Sequence, residues 1–166
     1  VQTMAAIAEQ AEKDRALLGN PEVPMNDCCS QKEFLAHAAI DATRKLGVAG
    51  IITDSETGET ACNLASFRGP NPVLAICYRE KTQRWLNLSY GVIPVYQKEH
   101  TSSEHMFTAA LRMLRQKHYI ELDDKIAYLS GSFGESGGTT FLEINSVRQV
   151  FDKSYEFHLP QHVERK

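Results

Sequence analysis

The sequence predicts an α/β fold: three layers, α/β/α, around a mostly parallel five-stranded sheet whose last strand runs antiparallel. Three observations predict it. Apolar runs of strand length recur at 48–53, 73–78, 92–97 and 125–130. Segments of helical spacing separate them, the pattern of βαβ units. After the fourth run, the connection 131–138 is too short for a crossover helix, so 139–147 returns antiparallel at an edge.

The first helix carries an apolar stripe at Val1, Met4, Ile7, Ala8 and Ala11 and runs to about Leu18, where Gly19-Asn20 stops it. It begins in mid-stripe without a capping residue, which reads as a piece cut from a longer chain. Pro21-Glu22-Val23-Pro24 is a linker, because two prolines three apart resist helix. Ser30 and Glu33 form a capping box for a second helix, with Phe34, Leu35, Ala38 and Ala42 on its apolar face and Gly47 at its end. Helices at 57–67, 80–90 and 101–118 alternate with the strands, the first of them ended by Gly69-Pro70. From 152 onward the tail is polar. The division that follows is 1–24 (helix and linker), 25–150 (the α/β domain) and 151–166 (the tail).

With 166 residues, 42% hydrophobic and 23% charged, the chain has the composition of a soluble domain with a buried core. A net charge of −3 argues against a nucleic-acid or polybasic membrane surface. No apolar run nears the ~20 residues a bilayer requires, and no leader pattern is present. Cys28, Cys29, Cys62 and Cys77 show no CxxC, which suits reduced, mostly buried thiols in the cytoplasm. The histidines are scattered, and Pro160 separates His158 from His162, so no metal site is expected.

Two loops have the composition for chemistry. In an open doubly wound sheet, ligands bind beyond the carboxyl ends of the strands, where the strand order reverses. With strands one and four adjacent, the loops there are Asp54-Ser55-Glu56-Thr57-Gly58-Glu59-Thr60 and Gly131-Ser132-Phe133-Gly134-Glu135-Ser136-Gly137-Gly138. Glycines let backbone N–H groups approach an anion, and a helix N-terminus favours negative charge. Neither loop is a GxxxxGK[ST] or GxGxxG fingerprint. Residue chemistry alone favours a simpler reading, a helix start capped by Ser55 or Thr57 with Glu56 and Glu59 in its first turn. A hydrolase using Ser55 or Ser132 as nucleophile lacks a histidine at a strand end and any GxSxG. A stand-alone anion-binding module remains the alternative.

In order along the chain, several segments resemble pyruvate kinase. The run from Val1 to Glu12 is similar to the end of that family's catalytic barrel. Leu46-Gly47-Val48-Ala49-Gly50-Ile51-Ile52-Thr53, followed by Thr57-Gly58-Glu59-Thr60-Ala61, resembles the strand and loop of its carboxy-terminal domain that usually read TxSGRSA. Arg68-Gly69-Pro70-Asn71-Pro72-Val73 is similar to the next loop and strand, and Tyr90-Gly91-Val92-Ile93-Pro94-Val95 to a YWGVxPV-type segment. Leu129-Ser130-Gly131 with Gly138-Thr139-Thr140 resembles the closing LTxG…GxTN turn.

The resemblance implies a regulatory and assembly domain of a glycolytic, cytoplasmic, ATP-forming kinase that needs magnesium and a monovalent cation, usually potassium. It assigns no catalytic or metal-binding residue and no cofactor to this chain, so the chain alone is expected to be inactive. The implied partners are its own catalytic barrel and further copies, a dimer for this piece and a tetramer for the intact enzyme. The implied sugar-phosphate site, taken residue by residue, matches Ser55, Thr57, Gly58 and Thr60 on one loop and Gly134, Ser136, Gly137 and Gly138 on the other. Glu59 stands where the family commonly has a basic residue, and Glu56 adds a second charge. A carboxylate ~5 Å from a phosphate costs roughly 3 kcal/mol at an effective dielectric of ~20, against at most ~2 kcal/mol from the helix end. The loop is thus expected to have the shape of a phosphate cradle and the wrong charge. The reversed edge strand, through Phe141, Leu142, Ile144 and Val147, is the expected interface between copies.

Overall fold

A computed structural model describes residues 1–18, 23–25, 28–98, 103–131 and 138–156. Its elements are α1 (Gln2–Leu18), α2 (Gln31–Lys45), β1 (Gly50–Ser55), α3 (Glu59–Ser66), β2 (Val73–Cys77), α4 (Glu80–Leu86), β3 (Val92–Tyr96), α5 (Ser103–Gln116), β4 (Lys125–Ser130), β5 (Phe141–Ser146) and α6 (Val147–Glu156). The sheet order is β3-β2-β1-β4-β5. Parallel pairing joins β3 to β2, β2 to β1 and β1 to β4, and β5 runs antiparallel to β4, with Ser130 opposite Phe141 and Lys125 opposite Ser146.

The central strands are apolar on both faces because helices cover both. Ile51, Val73, Ala75, Ala127 and Leu129 face α2, α3 and α4, and pack with Ala36, Ala39, Ile40, Ala61, Leu64 and Leu86. Their alternates Ile52, Leu74, Ile76 and Ile126 face α5 and α6, meeting Ala110, Leu111, Leu114, Val147 and Phe151. One covering helix is held by its ends as well as by its core side. The Ser30 hydroxyl accepts from the Glu33 amide while the Glu33 carboxylate accepts from the Ser30 N–H, the expected capping box.

Several boundaries differ from the sequence reading, for local reasons. β1 begins two residues later, at Gly50, and extends to Ser55, so the DSETGET stretch starts inside the strand. The buried residues of α2 are Ala36, Ala39, Ile40, Ala42 and Thr43, so Ala42 lies on the core side as expected; Leu35 and Ala38 are half-buried, and Phe34 is 54% exposed. Val147 is not in the edge strand. It opens α6 and is fully buried, so it is no interface residue. Ser146 and Gln149 make a second capping box, the Ser146 hydroxyl accepting from the Gln149 amide and the Gln149 side chain accepting from the Ser146 N–H. That Ser-x-x-Gln spacing ends the strand at Ser146. A boundary at residue 150 falls inside α6, whose Phe151 belongs to the core. The part of the tail at 157–166 lies outside the described residues. Of the cysteines, only Cys77 is buried, which pushes its thiol up to about 11; Cys28 is exposed and the other two are half-exposed. The described side chains of α1, from Gln2 to Asp14, are all exposed.

Candidate functional site

β1 and β4 lie side by side at the middle of the sheet, and their carboxyl ends deliver the two loops to one place. Between Ser55 and α3 the chain turns tightly. Gly58, at φ +91°, is the N-cap of α3 and supplies no side chain to cap it. The capping falls to its neighbours. Buried Ser55 accepts from the Gly58 amide at 2.7 Å, and the Thr57 hydroxyl accepts from the Glu59 amide at 3.4 Å. Both hydroxyls considered at the outset therefore cap, each on a different amide. Two donors that an anion would use are already engaged.

The charge of this loop differs from the expectation. Glu59 pairs with Lys32 of α2 at 2.9 Å, and Glu56 with Arg79, at the head of α4, at 3.5 Å. Neither loop contains a lysine or arginine, yet helices on either side bring one to each acid. At 37–67% side-chain exposure such pairs contribute about 0–1 kcal/mol each. They offset the charges of Glu56 and Glu59 on the first loop. Arg68 plays no part at this rim: it follows α3 at the opposite end, a rise of about 15 Å away along the helix, with its guanidinium over the Tyr90 ring at 5.1 Å.

The backbone of the loop is fixed from α4. The Thr82 hydroxyl donates to the Glu56 carbonyl at 2.7 Å, and the Trp85 ring lies against Gly58, where an added Cβ would stand 2.7 Å from the indole. Thr60, in the first turn of α3, shares a 2.9 Å hydroxyl–hydroxyl hydrogen bond with Thr139, beside Gly138. At the base of the second loop the backbones of Gly131 and Gly138 touch so closely that a Cβ on Gly131 would meet the Gly138 carbonyl oxygen at 2.2 Å. Gly134, Ser136 and Gly137 lie outside the described residues. Ser55, Thr57, Gly58, Thr60 and Gly138 are thus gathered at the switch point.

The third acid of the stretch points elsewhere. Asp54 alternates with Ser55 and so lies on the α5/α6 face, where it accepts a 2.5 Å hydrogen bond from Ser130 at the tip of β4. Burial pushes its carboxyl above the ordinary 3.8, with the Ser130 hydrogen bond pulling the other way. Nearby Tyr128, stacked on Phe107 and edge-on to Phe141, is pushed up to about 12, first by burial and then by the negative charge of Asp54. Just above 3.8 the folded chain still holds a proton that the unfolded chain has lost, so this contribution to stability falls as pH rises through the window and is flat beyond it. Asp54→Asn should remove that part of the pH slope in urea unfolding from pH 4 upward. An unchanged slope would mean that Asp54 is not its source.

Among the interface candidates, Phe141, Leu142 and Ile144 are half-buried along β5, Leu142 and Ile144 packing from the edge against the α2/α3 side of the core. No group of three or more potential ligands could hold a metal ion among the described residues. No helix there is long and apolar enough to cross a membrane.

Comparison with known proteins fits this architecture. Residues 33–145 match the family model described as pyruvate kinase, alpha/beta domain. The chain is 29% identical over 153 residues to the pyruvate kinase of Borreliella burgdorferi, covering 90% of this chain and 32% of that one. It is 28% identical over 158 residues to the pyruvate kinase of Bacillus licheniformis, covering 92% and 26%. Among solved structures, the pyruvate kinase of Cryptosporidium parvum in complex with ADP matches at a TM-score of 0.66 and 22% identity, over 74% of this chain and 25% of that chain. That likeness concerns the fold. The chain spans about a third or less of the length of these relatives. With the family model covering more than half of its residues, the chain belongs to the pyruvate kinase α/β-domain family.

Proposed function

We propose that this chain serves as the assembly and regulatory domain of a cytoplasmic, glycolytic pyruvate kinase, joined in the intact enzyme to the catalytic barrel that carries out phosphate transfer. Magnesium, a monovalent cation and the nucleotide would belong to that barrel. The chain by itself should show no phosphate transfer from phosphoenolpyruvate to ADP in a coupled assay; turnover that survives repurification would overturn this division of labour.

The observation that carries the assembly role is the outer side of β5, where no other strand pairs with it among the described residues. In an antiparallel ladder every second residue directs its N–H to the partner strand. The Val147 N–H donates to the Asp124 carbonyl, which by the β4–β5 register turns Asn145, Glu143 and Phe141 toward β4. The N–H groups of Leu142 and Ile144 then face outward, beside half-buried apolar side chains, on a strand without proline. The other edge, β3, carries Pro94. A second copy adding antiparallel to β5 closes a two-fold dimer, the unit from which a tetramer of intact chains is built. By sedimentation the chain should be a dimer at tens of micromolar and Ile144→Pro a monomer, while Ile144→Val keeps the dimer. A wild type that stays monomeric at high micromolar concentration removes this reading.

As for regulation, a sugar phosphate is a poor fit to the first loop as it stands. Its Gly58 and Glu59 amides are taken by Ser55 and Thr57, and its two flanking cations by Glu59 and Glu56.

A further inference from the structure

We infer that Cys28 and Cys29 form a vicinal dithiol that captures a thiophile with two open valences, of the class of the monosubstituted trivalent arsenicals, rather than closing a disulfide on itself. All four cysteines are free thiols, but they are not equivalent. Cys77 is buried in β2, its thiol donating to the Ala75 carbonyl at 3.5 Å, and Cys62 sits on α3 with its Sγ 3.5 Å from the Ser89 hydroxyl. Neither has another cysteine beside it in sequence. Cys28 and Cys29 are consecutive, the first exposed and the second half-exposed, on the segment that leads into α2. They belong to no helix or strand. The adjoining cap does not use them, because Ser30 and Glu33 spend their groups on each other. A ligand can take both thiols and leave that capping box whole.

Distance decides which partner suits the pair. The Cα atoms of consecutive residues stand ~3.8 Å apart across a trans peptide. Ordinary disulfides hold theirs ~4.4–6.8 Å apart. Closing Cys28 on Cys29 forces a small ring below that range, and a strained disulfide is easily reduced again. One atom inserted between the sulfurs enlarges the ring and relieves it. Two bonds of ~2.3 Å, the length of a metal–thiolate bond, let the sulfurs stand roughly 3–4 Å apart instead of ~2.0 Å. A tetrahedral metal ion asks for more than two ligands, and no group of three or more potential ligands could hold one among the described residues. An arsenical R–As=O asks for two. Both S–H bonds and the As=O bond break, two As–S bonds form, and the two protons leave with the oxygen as water. Neither sulfur nor arsenic changes oxidation state, so the step needs no oxidant or reductant.

The experiment uses the reduced 166-residue chain with phenylarsine oxide as the probe, read by intact mass. Wild type should bind one equivalent, keep it in excess 2-mercaptoethanol, a monothiol, and release it to the dithiol 2,3-dimercaptopropanol. Cys28→Ser and Cys29→Ser should each lose at least about a hundredfold in affinity, because the second As–S bond is intramolecular only when both thiols are present. Cys62→Ser should match wild type. Treated with glutathione disulfide, Cys62→Ser should gain glutathione at the pair, one Cys–S–S–glutathione bond forming as one glutathione thiol leaves, rather than lose two hydrogens. An adduct that the monothiol removes, or that either serine variant at the pair retains, overturns the site. A stable loss of two hydrogens overturns the argument from distance. Should either serine variant fail to fold, peptide mapping of the wild-type adduct decides: arsenic on the peptide holding Cys28 and Cys29 supports the site, and arsenic on Cys62 or Cys77 removes it.

Discussion

Gly58→Val is expected to destabilise the chain by about 2–5 kcal/mol, the sum of two costs that glycine avoids. The backbone at this position has φ +91°, in the left-handed region, where a side chain with a Cβ costs ~1–2 kcal/mol. The new Cβ would also stand 2.7 Å from the Trp85 ring and 3.2 Å from the Leu86 side chain. Trp85 is half exposed and can swing toward solvent, but Leu86 is fully buried under it and cannot. Overpacking against such a neighbour adds about 1–3 kcal/mol. Gly58→Ala should fall toward the lower end, because it imposes the conformational cost with a smaller side chain. Urea unfolding gives the difference, and the emission of Trp85 gives its origin: a red shift in the folded variant if the indole is pushed outward. A loss below about 0.5 kcal/mol, the range of an ordinary surface change, would mean that the turn readjusts freely and does not require glycine.

The fold was legible because its signals are local and repeated. Apolar runs bounded by glycine and proline placed β1 to β4, and β4 agrees at both ends, at Lys125 and Ser130. The connection at 131–138 was too short to cross over, which gave the reversed strand β5. The end of β5 has a local signal too, since Ser146-Val147-Arg148-Gln149 carries the same Ser-x-x-acceptor spacing as the Ser30 box. An apolar residue after a strand simply read as more strand. The candidate site was legible in its loops and not in its charges. Lys32 is 27 residues from Glu59, and Arg79 lies beyond the whole of α3 and β2 from Glu56. No local pattern announces a pair formed only when α2 and α4 flank α3. The same holds for Thr60 and Thr139, 79 residues apart, and for Asp54 and Ser130, 76 apart. Spacing in sequence shows which residues share an element; it does not show which elements meet at the mouth of a sheet.

Glu59→Arg together with Glu56→Lys is expected to gain at least tenfold in affinity for fructose bisphosphate, about 1.4 kcal/mol, over a wild type that binds no better than millimolar. The gain has two sources. Each reversal replaces a repulsion of the phosphate by an attraction, nominally ~3 kcal/mol at ~5 Å before solvent screens it. Each also releases a cation, because Lys32 and Arg79 lose the carboxylates that hold them at 2.9 and 3.5 Å. Exposure of all four side chains reduces these terms to a fraction of their nominal size, which is why tenfold is the floor and not a thousandfold. The fold should tolerate the change, since the ion pairs are surface pairs worth little, while the Ser55, Thr57 and Thr60 hydrogen bonds involve neither carboxylate. Calorimetry on both proteins separates charge from shape. Micromolar binding by the wild type would show that Lys32 and Arg79 already exchange their acids for a ligand, and that the two ion pairs are no barrier. No gain in the double variant would place the barrier in the backbone instead: with the Gly58 and Glu59 amides committed to Ser55 and Thr57, the turn would have no donors left to offer a phosphate whatever charge surrounds it.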